Sequence, residues 1–437
     1  MTEESRHHHQ GHSHSHEDML SVEDALSRII SCFTALDPEE KPILECLGQI
    51  LAEDITSPLN LPPLSNSGMD GYAVIWGDIA HSSLQNPTRL KVIGVIPAGQ
   101  VSIQRVTPGS AIRIMTGAPI PAGADTVIPF EETDEVERRN LGHGLDNINI
   151  NTNLPKGSNI RPSGEDVKKN QLVLESGSII RSSEISVLAS LGLQNVKVIR
   201  RPLVSILATG DELVPLDEKL IPGKIYDSNS AGVAASVLAA GGIPKILGIA
   251  QDTVQSLNDK LEGITGSDLV ITSAGVSKGD YDVVKDVLND KGNMNFWSVR
   301  MRPAKPLAFG HLKDKVGLIP MLGLPGNPVS ALVAFEMFAR PAIRKMLGLT
   351  MLDRPVIEGI LTHPIFNADE RRVYARVAVS KDNGVYYASP TGPQGSNILT
   401  SMSKANGLAI CPDDQPCRNA GDKVNIIMLD WNEEVKL

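Results

Sequence analysis

The sequence predicts a multidomain protein of mixed α/β and β class, with one parallel-sheet α/β domain flanked by β-rich segments. Three observations predict it. The chain has 437 residues, which at roughly 100–200 residues per domain gives about three domains. From Arg201 onward, apolar β runs alternate with helical patterns. "LVSILATG" precedes "SNSAGVAASVLAAGG", "PKILGIA" precedes "TVQSLNDKLEGI", "DLVITSAG" precedes "YDVVKDVLND", and "VGLIPMLGLPG" precedes "PVSALVAFEMFARPAIRKML". Continuous apolar strands between helices mean a parallel sheet covered on both faces. On either side of this stretch, short β-branched runs are punctuated by Gly and Pro.

Taken in order, residues 1–18 hold the His-rich "HHHQGHSHSH". Such a tract can grip divalent metal, but it reads as a disordered tail or tag and stands outside the fold. "SVEDALSRIISCF" puts a Ser cap and two acids ahead of apolar residues at helical spacing, which predicts an amphipathic helix from Val22 to Phe33. "DPEEKPILECLGQILAEDI" predicts a turn and a shorter helix stopping near Asp54. Residues 75–155 read as β-rich, with "DEVERRNLGHGLDN" a polar hairpin or exposed loop. "RSSEISVLASLG" predicts a short capped helix. After Leu352, "RVYARVAVS", "VYYASP", "GLAICP" and "KVNIIML" predict a small antiparallel β domain.

Composition narrows the function classes. Hydrophobic residues make up 41% and aromatics 4%, so several cores can form and they are aliphatic. The net charge of −10 argues against nucleic acid as partner, because that binding needs a basic face. An anionic ligand must therefore be held by a local basic patch. No run approaches the ~18 apolar residues of a membrane helix, and no signal peptide is visible. Cys32, Cys46, Cys411 and Cys417 form no CxxC pair and read as reduced thiols of a cytoplasmic protein.

Ligands of open α/β sheets collect beyond the carboxyl ends of the strands. After "LVSILA" come Thr209-Gly210-Asp211-Glu212, a tight turn with two carboxylates, or else a solvated turn. "YDSNS" offers Asp227, Ser228 and Asn229, all good helix N-caps; three in a row exceed what one cap needs. After "DLVITS" come Ala274-Gly275-Val276-Ser277-Lys278-Gly279-Asp280-Tyr281-Asp282. A glycine-bent helix start makes an anion site, and Asp280 and Asp282 can hold a divalent metal bridging to it. The same stretch spells Gly-x-Ser-x-Gly, the nucleophile elbow of α/β-hydrolases, with Ser277 as nucleophile. Only His311 and His363 follow it, and no HGGG-type loop exists. Gly326-Asn327-Pro328-Val329-Ser330 is a second glycine-containing helix start, with Pro328 suited to the first helical position. Arg300, Arg302 and Lys305 lie between apolar residues, which points to phosphate or another oxyanion, or to a solvated edge strand. Two more glycine loops, "NSGMDGYAV" and "MTGAP", carry Asp70 and Thr116 in the first half.

In chain order, "SGMDGYAV", "IRIMTGAPIPAGAD", "GEDV", "ATGDEL", "YDSN", "AGVSKGDYD", "RPAKPLAFG" and "GLPGNPVS" resemble the molybdopterin molybdenumtransferases, the MoeA family, from about residue 20 to the end. The resemblance implies a MogA-like, molybdopterin-binding α/β domain at 201–347 and a small β-barrel at 352–437. It also implies an N-terminal linker and dimerisation domain built from 19–65 and 158–200, with an inserted β subdomain at 66–157. It implies a homodimer whose active site lies between the α/β domain of one subunit and the inserted subdomain of the other. The implied substrates are molybdate and adenylylated molybdopterin, with Mg²⁺ as cofactor, AMP as leaving group and the adenylylating enzyme as a partner. Carried over residue by residue, the catalytic positions are Asp70 and Thr116 from the opposing subunit, with Glu212, Asp227 and Asp282. Glu212, Asp227, Asp280 and Asp282 fall at metal positions. Gly210, Asp211, Ser228, Asn229, Gly275, Val276, Ser277 and Gly279 match ligand-binding positions, as do Arg302, Lys305, Gly326, Asn327 and Ser330. Two departures matter, Ala274 where the family commonly has Gly and "RPAKP" for "KPGKP"; "SGMD" for "SAMD" is minor. Tungstate is an alternative oxyanion. A gephyrin-like scaffold role goes in the family with a fused partner domain and linker, which the 18 N-terminal residues are too short to supply.

Overall fold

The computed structural model describes residues 19–273, 286–287, 290, 292–315 and 317–431. The chain forms two compact units. One comprises residues 41–47 and 51–196, and the other comprises residues up to 40, 48–50 and 197–437. The amphipathic pattern near the N-terminus gives helix α1 (Val22–Ile30), which belongs to the larger unit. The Ser21 hydroxyl accepts the Asp24 N–H, and Val22, Ala25 and Ile29 are buried. The helix stops three residues before Phe33, the expected end. No helix runs on toward Asp54. Pro38–Pro42 is an extended strand and Ile43–Cys46 a single 3₁₀ turn. Pro42 disfavours helix in the residue before it, and Gly48 at φ +77° ends the turn.

The smaller unit is built on a five-stranded sheet: β1 (Gly71–Val74), β2 (Thr88–Ile96), β3 (Ser110–Ile114), β4 (Thr126–Pro129) and β5 (Asn147–Ile150), in the order β4-β1-β3-β2-β5. Alternation along β1 sends Tyr72 and Val74 into one apolar cluster and Ala73 into another, so both faces of the sheet are covered. The segment read as a polar hairpin instead contains helix α2 (Glu135–Asn140). Its i,i+4 pairs Asp134–Arg138 and Glu135–Arg139 supply the local support that the polar composition concealed. Helix α3 (Ser182–Ser190) forms as expected, with Glu184 accepting the Arg181 N–H at its start.

In the larger unit, β6 (Leu203–Thr209), β7 (Ile243–Ala250), β8 (Leu269–Ser273), β9 (Gly292–Ser298), β10 (Pro306–Lys313) and β11 (Leu318–Leu324) form one sheet, ordered β7-β6-β8-β11-β10-β9. β7, β6, β8 and β11 run parallel, but β10 and β9 are antiparallel to their neighbours. The fully parallel expectation therefore fails at one end. The Asp314 N–H donates to the Gly317 carbonyl at 2.8 Å in a tight turn, too short for a parallel crossover. Helices α4 (Ser228–Ala239), α5 (Val254–Leu261) and α6 (Pro328–Ala334) cover the sheet. α6 continues through a π-helical turn, Phe335–Ala339, into α7 (Arg340–Met346). Val204, Ile206, Ile271 and Leu322 pack on one face with α1, α4 and α6, and Leu207, Val270, Ala308 and Met321 on the other with α5. The expected helix over "YDVVKDVLND" lies almost wholly outside the described residues.

The C-terminal strands β12 (Val356–Leu361), β13 (Arg372–Asp382), β14 (Val385–Pro390), β15 (Gly407–Cys411) and β16 (Lys423–Met428) run in the order β13-β14-β12-β16-β15. β15 pairs back onto β13, which closes a five-stranded barrel. One pair, β12 with β14, is parallel, where the sequence predicted a wholly antiparallel domain.

Candidate active site

The carboxyl ends of the parallel strands converge on a cleft of about 100 Å³ in the larger unit. β6 ends at Thr209, and Gly210 follows at φ +143°. A Cβ there would stand 2.6 Å from a Glu212 carboxylate oxygen, so glycine lets Glu212 fold back over the strand end. The Glu212 backbone carbonyl accepts the Ile225 N–H at 2.8 Å, and the Asp227 N–H donates to the Val214 carbonyl at 3.1 Å. This short ladder sets Asp227 on the same cleft as Glu212. Asp227, only 7% exposed, caps α4 by accepting the Ser230 N–H at 3.0 Å. The Asn229 amide donates to the Gly326 carbonyl at 2.7 Å, joining α4 to the loop after β11. Ser273, at the end of β8, also lines the cleft, and its buried hydroxyl has no partner among the described residues.

Of the predicted site residues, Glu212, Asp227, Ser228, Asn229 and Gly326 thus line one cleft. Asp211 serves its own turn: its carboxylate accepts the Asp252 N–H at 3.1 Å and its carbonyl accepts the Lys224 ammonium. Burial, then the charges of Asp211 and Glu212, push the Asp252 carboxyl above its ordinary range. Asn327 precedes α6, and its carbonyl accepts the Ala331 N–H at 2.9 Å. Ser330 is buried in the first turn of α6. Gly275, Val276, Ser277, Gly279, Asp280 and Asp282 lie outside the described residues.

Arg302 lines a different cavity, of about 210 Å³, with Pro303, Tyr374, Arg376 and Gln394. The loop around it is tight. Ala304 is buried at φ +74°, in the left-handed region that favours glycine, and the Lys305 carbonyl accepts the Val299 N–H at 2.7 Å. Sequence reasoning missed Arg376. Its side chain is 1% exposed. It donates to the Ser401 hydroxyl at 3.0 Å and to the carbonyls of Gly395 and Pro393 at 2.9 and 3.4 Å. No carboxylate pairs with it among the described residues. Burial first, and the Arg302 charge second, lower its pKa to about 10. The signal was present as an arginine inside the apolar run "VYARVAV", since Arg is almost never fully buried unless paired. A buried cation beside a second one, with only neutral partners, is a place for an oxyanion.

In the smaller unit the structure brings Asp70 and Thr116 together. Asp70 Oδ1 accepts both the N–H and the hydroxyl of Thr116, each at 2.7 Å. Those two bonds hold the Asp70 carboxyl below its ordinary range, with a smaller push from Arg113 and some opposition from burial. Gly71 is required beside them, because a Cβ there would lie 2.0 Å from the Ile128 carbonyl oxygen.

Three family models match the chain in sequence. They are the MoeA N-terminal region (domain I and II) over residues 20–192, a probable molybdopterin binding domain over 205–345, and the MoeA C-terminal region (domain IV) over 358–429. The chain is 36% identical to molybdopterin molybdenumtransferase 2 of Mycobacterium tuberculosis over 416 residues, covering 93% of this chain and 99% of that one. It is 35% identical to a molybdopterin molybdenumtransferase of Nostoc, covering 95% of each. The crystal structure of a molybdopterin biosynthesis MoeA protein from Pyrococcus horikoshii superposes with a TM-score of 0.79 at 30% identity, covering 94% of this chain and 100% of that one. With family models matched over 20–192, 205–345 and 358–429 and relatives at 35–36% identity over nearly the whole length, the chain belongs to the molybdopterin molybdenumtransferase (MoeA) family and is a transferase enzyme of molybdenum cofactor biosynthesis.

Proposed function

We propose that the enzyme transfers molybdenum from molybdate into adenylylated molybdopterin, releasing AMP, as a cytoplasmic homodimer supplied by an adenylylating enzyme. The observation that carries the molybdate half is Arg376. Its guanidinium is buried with neutral partners, shares a cavity with Arg302, and is left with charge to be matched by an oxyanion. A tetrahedral dianion accepts hydrogen bonds on every face, which suits a guanidinium fork.

The acid-lined cleft suits the other half. Glu212 and Asp227 line it together, and Asp227 uses one carboxylate oxygen for its helix cap. No group of three or more metal-binding side chains occurs among the described residues. Two carboxylates fit Mg²⁺, which keeps several waters and takes its remaining ligands from substrate phosphates. When bound there, Mg²⁺ neutralises charge on the phosphate linkage to AMP. Glu212 and Asp227 orient that linkage, Ser273 offers it a hydroxyl, and Asn229 keeps the two walls of the cleft at a fixed spacing. Asp280 and Asp282, at the family's remaining metal positions, lie outside the described residues. The Asp70–Thr116 pair serves the partner subunit's cleft, with the lowered carboxyl pKa keeping Asp70 ionised as it approaches the substrate.

The test is incubation of the protein with adenylylated molybdopterin, Mg²⁺ and either molybdate or tungstate, following AMP by chromatography. AMP release that depends on oxyanion and Mg²⁺ is the expected result. Absence of release with both oxyanions overturns the proposal.

A further inference from the structure

The Asp70–Thr116 contact joins the start of β1 to the end of β3, and its geometry depends on their register. β1 and β3 are antiparallel, with Gly71 opposite Ile114 and Tyr72 opposite Arg113. Asp70 immediately precedes this ladder and Thr116 lies two residues beyond its end. A slip of a single residue would turn each side chain to the opposite face and separate the pair. Something must fix the register at this edge.

Glu135, at the start of α2, is bonded to both strands. It is 2% exposed. Its carboxylate accepts the Tyr72 hydroxyl at 2.6 Å from β1, and the Arg113 Nε and Nη2 at 3.0 and 2.8 Å from β3. Arg139 adds a bond at 2.8 Å from α2 itself. Tyr72 and Arg113 are direct cross-strand partners, so one carboxylate staples the rung next to the Asp70–Thr116 pair. Every bond it accepts comes from a donor, and two of the donors are cations, which is how a carboxylate is kept ionised when buried. The Asp70 carbonyl is held as well, accepting the Phe130 N–H at 3.2 Å.

We propose that Glu135 is the positioning residue of the Asp70–Thr116 pair. It acts by locking Tyr72 and Arg113 in register, and it does not itself touch substrate. This rests on the reading above that Asp70 and Thr116 meet the substrate. The fold requires a buried acceptor here only in part: the apolar clusters on both faces of the sheet hold the unit together, whereas the staple sets where one edge of it ends.

The test uses the full-length protein and Glu135→Gln, which keeps the shape but turns an N–H₂ toward the Arg113 and Arg139 donors. Amide exchange at Thr116 should quicken while the melting transition persists. The kcat for AMP release should fall about tenfold with KM for molybdate unchanged, as expected when a reacting group is misplaced. In an Asp70→Ala, Thr116→Val background, the same substitution should leave the residual turnover unaltered, because neither member of the pair remains to be positioned. Equal losses of kcat in both backgrounds, or unchanged Thr116 exchange in Glu135→Gln, would overturn the proposal. If Glu135→Gln does not fold, Tyr72→Phe removes only the 2.6 Å bond and should move Thr116 exchange in the same direction; no movement there also overturns it. If the wild-type protein releases no AMP, the functional reading fails by itself, and the exchange measurement still decides whether Glu135 positions the pair.

Discussion

The Asn229 side-chain amide donates to the Gly326 carbonyl at 2.7 Å, which ties the first turn of α4 to the loop between β11 and α6. Two of the glycine- and Asn-bearing stretches that flank the cleft are thereby one mechanical piece. Asn229→Ala should cost about 1 kcal/mol of stability, the usual net worth of such a bond. It should raise KM for adenylylated molybdopterin about tenfold, with kcat changed less, because a loosened wall weakens binding before it alters the chemistry. Thermal melting and steady-state AMP release measure the two effects separately.

Arg376 should show an unusual split between binding and stability. Arg376→Met removes a buried, unmatched cation but orphans the carbonyls of Gly395 and Pro393. These effects oppose each other, so the melting temperature should move by only a few degrees. Molybdate affinity, by isothermal calorimetry, should fall at least about tenfold, the scale of one charge-assisted hydrogen bond. Arg376→Lys should recover part of the affinity and not all, since an ammonium cannot reproduce the guanidinium fork.

Ala304 holds a glycine-like conformation at φ +74° in a buried loop between Arg302 and Lys305. That is the backbone a glycine takes at no steric cost. Ala304→Gly should therefore be tolerated within about 1 kcal/mol, as relief of left-handed strain offsets the lost methyl group and the freer unfolded chain. Ala304→Val should cost about 3 kcal/mol, because a β-branched residue is a genuine outlier in that region and has no space to expand. Urea unfolding midpoints distinguish the two.

The start of α3 predicts a pH dependence of stability. Side-chain hydrogen bonds from Arg181, against some burial, with further bonds from Ser183 and the Arg181 N–H, hold the Glu184 carboxyl at about 2. Its folded pKa lies below its unfolded one, so its stabilisation is fully present above about pH 4.3 and is lost as pH falls toward 2. Glu184→Gln should therefore melt below the wild type at neutral pH. The two melting curves should converge as the pH is taken down to about 2.

Much of this architecture was legible because it is local. The strand–helix alternation from Leu203 onward, the Ser21 cap and the glycine loops at Gly71, Gly210 and Gly326 all follow from periodicity and backbone freedom. What the sequence hid depends on partners distant along the chain. α2 looked like a polar loop because the reason for its Glu135 lies on Tyr72, 63 residues away. The antiparallel end of the sheet turns on a short connection after Lys313 that reads like any other polar loop. Arg376 stood in plain view within an apolar run, but its meaning required knowing that no carboxylate among the described residues reaches it. Arg302 and the strand-end residues line two separate cavities, a separation that no spacing in the sequence marks.

The closed barrel has a consequence for how this chain fails. Its five strands pair all the way round, so they present no free row of backbone donors and acceptors to another molecule. The mixed sheet is open at β7, where Ile243 and Ile246 are 46% and 55% exposed. An exposed, apolar edge of this kind is a template for intermolecular strand addition. When the protein is warmed or concentrated, self-association should nucleate on residues 243–250 while the barrel remains intact, and hydrogen-exchange mapping of early aggregates should find new protection there first.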